Sequence, residues 1–256
     1  MRFNGKAGII TGGCGDIGKA TAKRLLMEGA KVALVDIDQE GLDETIQELK
    51  DLGEVISIKA DVSKEDDVKH YVEKTKKHFG RIDFFFNNAG IEGKTYNFND
   101  TPVEEFDKVI GINLRGVFLG MKYVAPIMIE QKSGSIINTS SVAGLGGFPG
   151  ITPYVASKHG VTGLTKNGAL EYAPHNVRVN SIHPAPIETR MMRCVETGMN
   201  PDDAQAAKKC IEQMIPLGRY GEAAEIAELV AFLASNASSY ISGSQFRIDG
   251  CMGAKA

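Results

Sequence analysis

Along the chain, short runs of β-branched and apolar residues alternate with longer stretches whose apolar positions recur at helical spacing. Strand-like runs fall at residues 6–11, 31–36, 55–60, 83–87, 135–140 and 177–183, with a last one at 245–249. Between them the pattern predicts helices over 17–28, 41–52, 65–79, 103–129, 154–172 and 223–234. In the first of these, Ile17, Ala20, Thr21, Ala22, Leu25 and Leu26 form one apolar stripe. Parallel strands need crossovers, and those crossovers are right-handed. The alternation therefore predicts an α/β fold, a doubly wound, seven-stranded parallel sheet with helices on both faces. No repeat or low-complexity linker divides residues 1–256, so a single domain is expected. Residues 184–201 read as irregular and carry Met191, Met192 and Met199. In such sheets ligands bind beyond the carboxyl ends of the strands. A segment of about 184–213 is thus expected to form a substrate lid.

Composition narrows the class more than it names a chemistry. Apolar residues make up 43% and charged residues 24%, enough for a sizeable core and a water-facing surface. A formal charge of −3 and a pI near 6.0 argue against a nucleic-acid partner. No uninterrupted apolar run approaches a membrane span, and strand-like sequence begins almost at once, leaving no room for a signal peptide. Cys14, Cys194, Cys210 and Cys251 are scattered, without CxxC or His at metal spacing. A cytoplasmic protein with reduced thiols and no metal site is expected.

The first candidate chemistry lies where the first strand meets the first helix, at Thr11-Gly12-Gly13-Cys14-Gly15-Asp16-Ile17-Gly18. Glycines let such a loop turn tightly and approach a pyrophosphate, while helix amides supply partial positive charge. At the end of the second strand, Asp36 stands where an adenosine ribose would lie. A carboxylate there binds the 2′- and 3′-hydroxyls and repels a 2′-phosphate. No Arg or Lys sits in the loop, so NAD(H) is preferred over NADP(H). Asp61-Val62 and Asn88-Ala89-Gly90, at two further strand ends, are placed to flank the adenine and to tie strand and loop together. Both are also ordinary turn sequences.

A second constellation follows. Tyr154 and Lys158 are i, i+4 neighbours near the start of a helix. A nearby ammonium favours the phenolate and lowers the tyrosine pKa toward working pH. Ser141 lies 13 residues earlier, where it can donate to a substrate oxygen, although spacing does not separate it from Ser140. Asn113, on the preceding long helix, is placed to anchor a water leading to Lys158.

These elements occur in order along residues 6–251 and closely resemble the short-chain dehydrogenase/reductase family. The resemblance implies a Rossmann fold and an Asn113-Ser141-Tyr154-Lys158 tetrad. Tyr154 would be the general acid/base, and Lys158 would also hold the nicotinamide ribose. It extends to Pro184, Ile187 and Thr189, the last two implied to hold the nicotinamide carboxamide. It also implies a homotetramer built on the two long helices and the last strand.

Three positions depart from the family pattern. Asp16 replaces the middle glycine of the loop, where it could cap the first helix; turned inward it would oppose a pyrophosphate. Pro184-Ala185-Pro186 replaces a usual Pro-Gly, and Cys251 stands where a second glycine is common. The stretches 84–94 and 113–120 look like the levodione reductase subgroup, whose members act on cyclic secondary alcohols and ketones. Glu92, Gly146, Gly147, Phe148, Ala185, Met191 and Met192 are the expected pocket wall, and a hydroxysteroid would fit the same description. Met adapts to irregular shapes, but these two could equally pack lid against core. The competing readings are a 3-oxoacyl-carrier-protein reductase and a dinucleotide-sensing scaffold without chemistry.

Overall fold

The computed structural model describes residues 1–254. Seven strands, β1 (Ala7–Thr11), β2 (Lys31–Asp36), β3 (Val55–Lys59), β4 (Phe84–Asn87), β5 (Gly134–Thr139), β6 (Val177–Pro184) and β7 (Gln245–Ile248), form one sheet. Their order is β3-β2-β1-β4-β5-β6-β7, and every neighbouring pair is parallel. The order reverses between β1 and β4, which opens a crevice at their carboxyl ends.

Side-chain alternation divides the core into two layers. In β4, Phe84 and Phe86 enter the layer formed with Leu25, Leu26, Leu42 and Val230, while Phe85 enters the opposite one with Val68, Val124 and Val161. All three rings are fully buried, each worth roughly 1.5–3 kcal/mol of burial. Helices α1 (Asp16–Met27), α2 (Gln39–Leu49) and α9 (Ala223–Ala234) cover the first face. Helices α3 (Glu65–Phe79), α5 (Gly116–Gln131) and α6 (Thr152–Tyr172) cover the second, and α4 (Val103–Ile110) packs against α6.

The long helix predicted at 103–129 is present but not regular. Between α4 and α5, residues Gly111–Arg115 make a π turn, in which the amide of Gly116 donates five residues back to the carbonyl of Gly111. Such turns are rare and favour functional positions; Asn113 is fully buried within it. Taken together, Val103–Gln131 spans 29 residues with a mean hydropathy of 1.2 in its most apolar window, long and apolar enough to cross a membrane. Half of that window is buried against the protein, as befits a core helix.

The segment expected to be irregular, 184–201, is instead largely ordered. After β6, Ile187 forms a parallel bridge with Gly221, and helices α7 (Arg190–Met199) and α8 (Ala204–Met214) follow. Thr189 caps α7 by accepting from the amide of Met192, and Asp203 caps α8 by accepting from Ala206. Met192 packs beside Ile211, Ile215 and Tyr220 in a small core belonging to the lid itself.

Candidate active site

Two features of the glycine loop fit it to a pyrophosphate. A side chain at Gly18 would collide with the carbonyl oxygen of Gly12, so the loop stays close to the helix. Helical bonding in α1 begins when Lys19 N donates to Gly15 O at 2.8 Å, and no side chain caps the helix at Gly15. The amides of Asp16, Ile17 and Gly18 therefore have no partner further back in a helix, the arrangement that receives anions. At the end of β2, Asp36 is held rigid. Its Oδ1 accepts from Ile37 N at 2.8 Å and Asp38 N at 3.3 Å, and its Oδ2 from Cys14 N at 3.3 Å. Burial, reinforced by Asp36 and Asp38, pushes the Cys14 thiol up to about 12.

Thr11, at the tip of β1, organises the next strand end. Its hydroxyl accepts from Asn88 N at 2.9 Å and Ala89 N at 3.0 Å, and Asn88 Nδ2 donates to Thr11 O at 3.1 Å. Asn88 thus ties strand and loop together. A Cβ on Gly90 would lie 3.2 Å from Asn113 Oδ1 and 3.6 Å from Lys158 Nζ, so this backbone forms one wall of the crevice. Asp61 turns inward on its own loop, Oδ1 accepting from the amide (3.0 Å) and hydroxyl (2.7 Å) of Ser63. Val62 is buried beside Gly116.

Strand geometry sends the two serines to different surroundings. Successive side chains of an extended segment point to opposite sides. Ser140 Oγ donates to Lys158 O at 2.9 Å and lies 3.3 Å from Thr162 Oγ1, fully engaged in anchoring α6. Ser141, on the other side, accepts from Ala143 N at 3.1 Å and stands beside the Tyr154 phenol.

Tyr154 and Lys158 come together as their spacing implies, with Lys158 Nζ 5.4 Å from the phenol ring centroid. Nζ also donates to Thr139 O at 2.8 Å. Burial lowers the Lys158 ammonium to about 8. The expected depression of Tyr154 is not found: burial raises it, the Ser141 hydroxyl pulls the other way, and the Glu92 carboxylate adds to the rise. In the protein alone, removing the phenol from water outweighs an ammonium that is itself poorly solvated.

The Asn113 side chain finds its partners within the fold. Its Oδ1 accepts from Ile91 N at 2.8 Å, while Nδ2 donates to Ile91 O at 2.8 Å and to Ser157 Oγ at 3.3 Å. The carboxamide clamps the 90–91 loop to α6.

Sequence reasoning missed His183. It is fully buried in β6; its Nδ1 donates to Ser141 O at 2.9 Å, and its Nε2 lies 2.8 Å from Ser181 Oγ. Since a carbonyl only accepts, the Nδ1 proton is fixed by Ser141. Burial lowers the His183 pKa. A polar residue near the carboxyl end of a core strand was the available signal.

On the lid side, Pro184 closes β6 opposite Ile248, and the Ile187 side chain is buried in the core. Thr189 Oγ1 donates to Ile187 O at 3.1 Å. Of the expected pocket wall, Glu92, Gly146, Phe148, Ala185 and Met191 are partly buried and Gly147 is exposed. Met192 serves lid packing instead. Asp16 does not cap α1 as anticipated; its Oδ2 accepts from Arg190 N at 2.8 Å, across the crevice.

The family profile described as enoyl-(acyl carrier protein) reductase matches residues 14–252. The levodione reductase of Leifsonia aquatica is 47% identical over 97% of this chain and 94% of its own. The 3-oxoacyl-[acyl-carrier-protein] reductase of Thermotoga maritima is 43% identical over 98% of each chain. The cyclohexanol dehydrogenase of an Acinetobacter species is 39% identical over 99% of this chain and 97% of its own. A crystal structure of levodione reductase superposes with a TM-score of 0.98 at 46% identity, covering 100% of both chains. An NAD+-bound xylitol dehydrogenase superposes with a TM-score of 0.92 at 36% identity, covering 97% of this chain and 99% of that one. Fold, site order and relatives agree, and the chain belongs to the short-chain dehydrogenase/reductase family of Rossmann-fold oxidoreductases.

Proposed function

We propose that this chain is an NAD-dependent oxidoreductase that interconverts a secondary alcohol and a ketone on a cyclic, alicyclic or steroid, substrate. The observation that carries the reading is the meeting of Ser141, Tyr154 and buried Lys158 beside a glycine loop with available helix amides. The loop amides would hold the pyrophosphate, Asp36 the adenosine ribose, Lys158 the nicotinamide ribose, and the 187–189 backbone the carboxamide. When bound, the nicotinamide supplies the hydride acceptor or donor.

The chain's own groups handle the proton. In the oxidation direction Tyr154 Oη takes the hydroxyl proton while Ser141 Oγ donates a hydrogen bond to the substrate oxygen. Tyr154 must enter this step as the phenolate and leaves it as the neutral phenol, and Lys158 stabilises the phenolate by its charge. His183 and Ala143 fix Ser141 from behind.

Asp36 supports NAD over NADP, because a 2′-phosphate would meet this carboxylate with Asp38 nearby. Asp36→Ala should lower the ratio of kcat/KM for NAD to that for NADP by about tenfold or more, that is ~1.4 kcal/mol. An unchanged ratio would assign ribose reading to another group.

A cyclic substrate is favoured by the small, adaptable lining and by the levodione and cyclohexanol relatives. The acyl-carrier alternative, favoured by a 43% relative, calls for exposed positive charge near the mouth. Arg193 and Lys208 on the lid are instead paired with Glu188, Glu196 and Glu212. Turnover of a panel of cyclohexanols, diketones and hydroxysteroids, each with NAD and NADP, tests both. Activity confined to acetoacetyl thioesters with NADPH would replace the proposal.

We also propose a cytoplasmic homotetramer. Its support is four free thiols and exposed Phe118 and Leu170 on α5 and α6 beside a groove of about 350 Å³. Sedimentation equilibrium giving a monomer at micromolar concentration would reject the assembly.

A further inference from the structure

Asp16 is where the loop leaves the family pattern, and its carboxylate reaches 174 residues along the chain to Arg190 N at 2.8 Å. Arg190 is the first residue of α7. A helix begins with four amides that have no partner within it. In α7 the Thr189 side chain takes the amide of Met192 at 3.4 Å, its carbonyl takes that of Arg193 at 3.2 Å, and Asp16 takes that of Arg190. The cap of the lid helix is therefore shared between its own threonine and a residue of the cofactor loop. One carboxylate also lies in the first turn of α1 and at the start of α7, where both helix dipoles favour it.

The rest of the lid would follow this one bond. Glu188 pairs with Arg193 and with Lys208, joining the base of α7 to α8. Both cations lie over the Tyr220 ring, at 5.8 and 5.1 Å, and Met192 packs into the same cluster. Among the described residues, Asp16 to Arg190 is the hydrogen bond between the lid helices and the glycine loop.

We propose that Asp16 is a positioning residue that latches the lid onto the cofactor loop, setting the 187–189 backbone in place before the dinucleotide arrives. The function assigned to that backbone rests on the oxidoreductase reading; the latch does not. Asp16 trades a glycine's indifference to the pyrophosphate for a preordered nicotinamide end of the site.

Hydrogen exchange of the cofactor-free protein tests this without substrate. Asp16→Ala should speed exchange in peptides covering 190–199 by about tenfold, with β4 and β5 unchanged. Asp16→Asn keeps an acceptor oxygen and loses the charge, so its lid should exchange as in the wild type. NADH should bind the alanine variant at least threefold more weakly than the asparagine variant, which separates the latch from charge repulsion. Equal lid exchange in wild type and Asp16→Ala, or equal loosening in both variants, would overturn the latch. A chain that turns over no alcohol but still gives this pattern would refute the oxidoreductase reading and leave the latch standing.

Discussion

Replacing Tyr154 with phenylalanine should lower kcat by about 10³-fold while changing the NADH dissociation constant less than threefold. The size follows from what a positioned proton donor contributes, ~10²–10⁴ in rate. The selectivity follows from position. Tyr154 stands at the crevice beside Ser141 and Lys158, whereas the pyrophosphate and adenosine groups are assigned to α1 and β2. The phenol loses only its contact with the Ser141 hydroxyl, about 1 kcal/mol, so the variant should still fold. Stopped-flow NADH binding alongside steady-state turnover measures both quantities. More than a tenth of wild-type turnover would show that the proton moves through another group.

Lys158→Met should abolish turnover and yet make the protein more stable at neutral pH. A buried ammonium whose pKa falls from 10.5 to about 8 costs about 3 kcal/mol of stability wherever it is charged. Between those values the unfolded chain holds more protons than the folded one, so wild-type stability rises with pH across that window. Below about 8 the cost is fully present; above 10.5 it has gone. Methionine removes it but leaves Thr139 O, the 2.8 Å partner of Nζ, without its donor, a loss of about 1–2 kcal/mol. The net gain at pH 7 is about 1–2 kcal/mol, a rise in Tm of roughly 2–8 °C for a chain of this size. Near pH 10.5 the order should invert, with the wild type the more stable. Thermal unfolding of both proteins across that range decides it. A variant less stable at pH 7 would mean that burial of Lys158 is already compensated.

How far the sequence anticipates the molecule depends on what each element rests on. The strands at 31–36 and the helices at 65–79 and 223–234 fall at the residues expected, because buried apolar runs and stripes are written directly into composition. The fold follows from the same signals, whereas the family shows in the order of short motifs such as the Thr11–Gly18 loop and the Tyr154/Lys158 pair. The lid helices are hidden in the sequence because Pro184, Pro186, Gly198 and Pro201 suggest irregular chain, while α7 buries little beyond Glu196. Their caps, Thr189 and Asp203, are the local cue to them. Spacing alone left Ser140 and Ser141 open, and alternation along the extended chain separates them. The Asp16–Arg190 bond and the clamp made by Asn113 depend on distances across the fold that no local pattern encodes.

The π turn at 111–115 gives the long helix an unusual tolerance to editing. A π turn is an α-helix with one residue too many, so excising a single residue there would heal the helix to regular α geometry. Each residue of a regular helix turns the chain by about 100° and advances it 1.5 Å. If α5 stayed seated on the sheet, the deletion would swing the exposed Phe106 and the buried Val109 of α4 to new bearings. Backbone hydrogen bonding would improve while the crevice lost the clamp on Ile91. The superfluous residue is thus a gear tooth that keeps the two halves of one rod in different phase, one meshed with the core and the other with the mouth of the site.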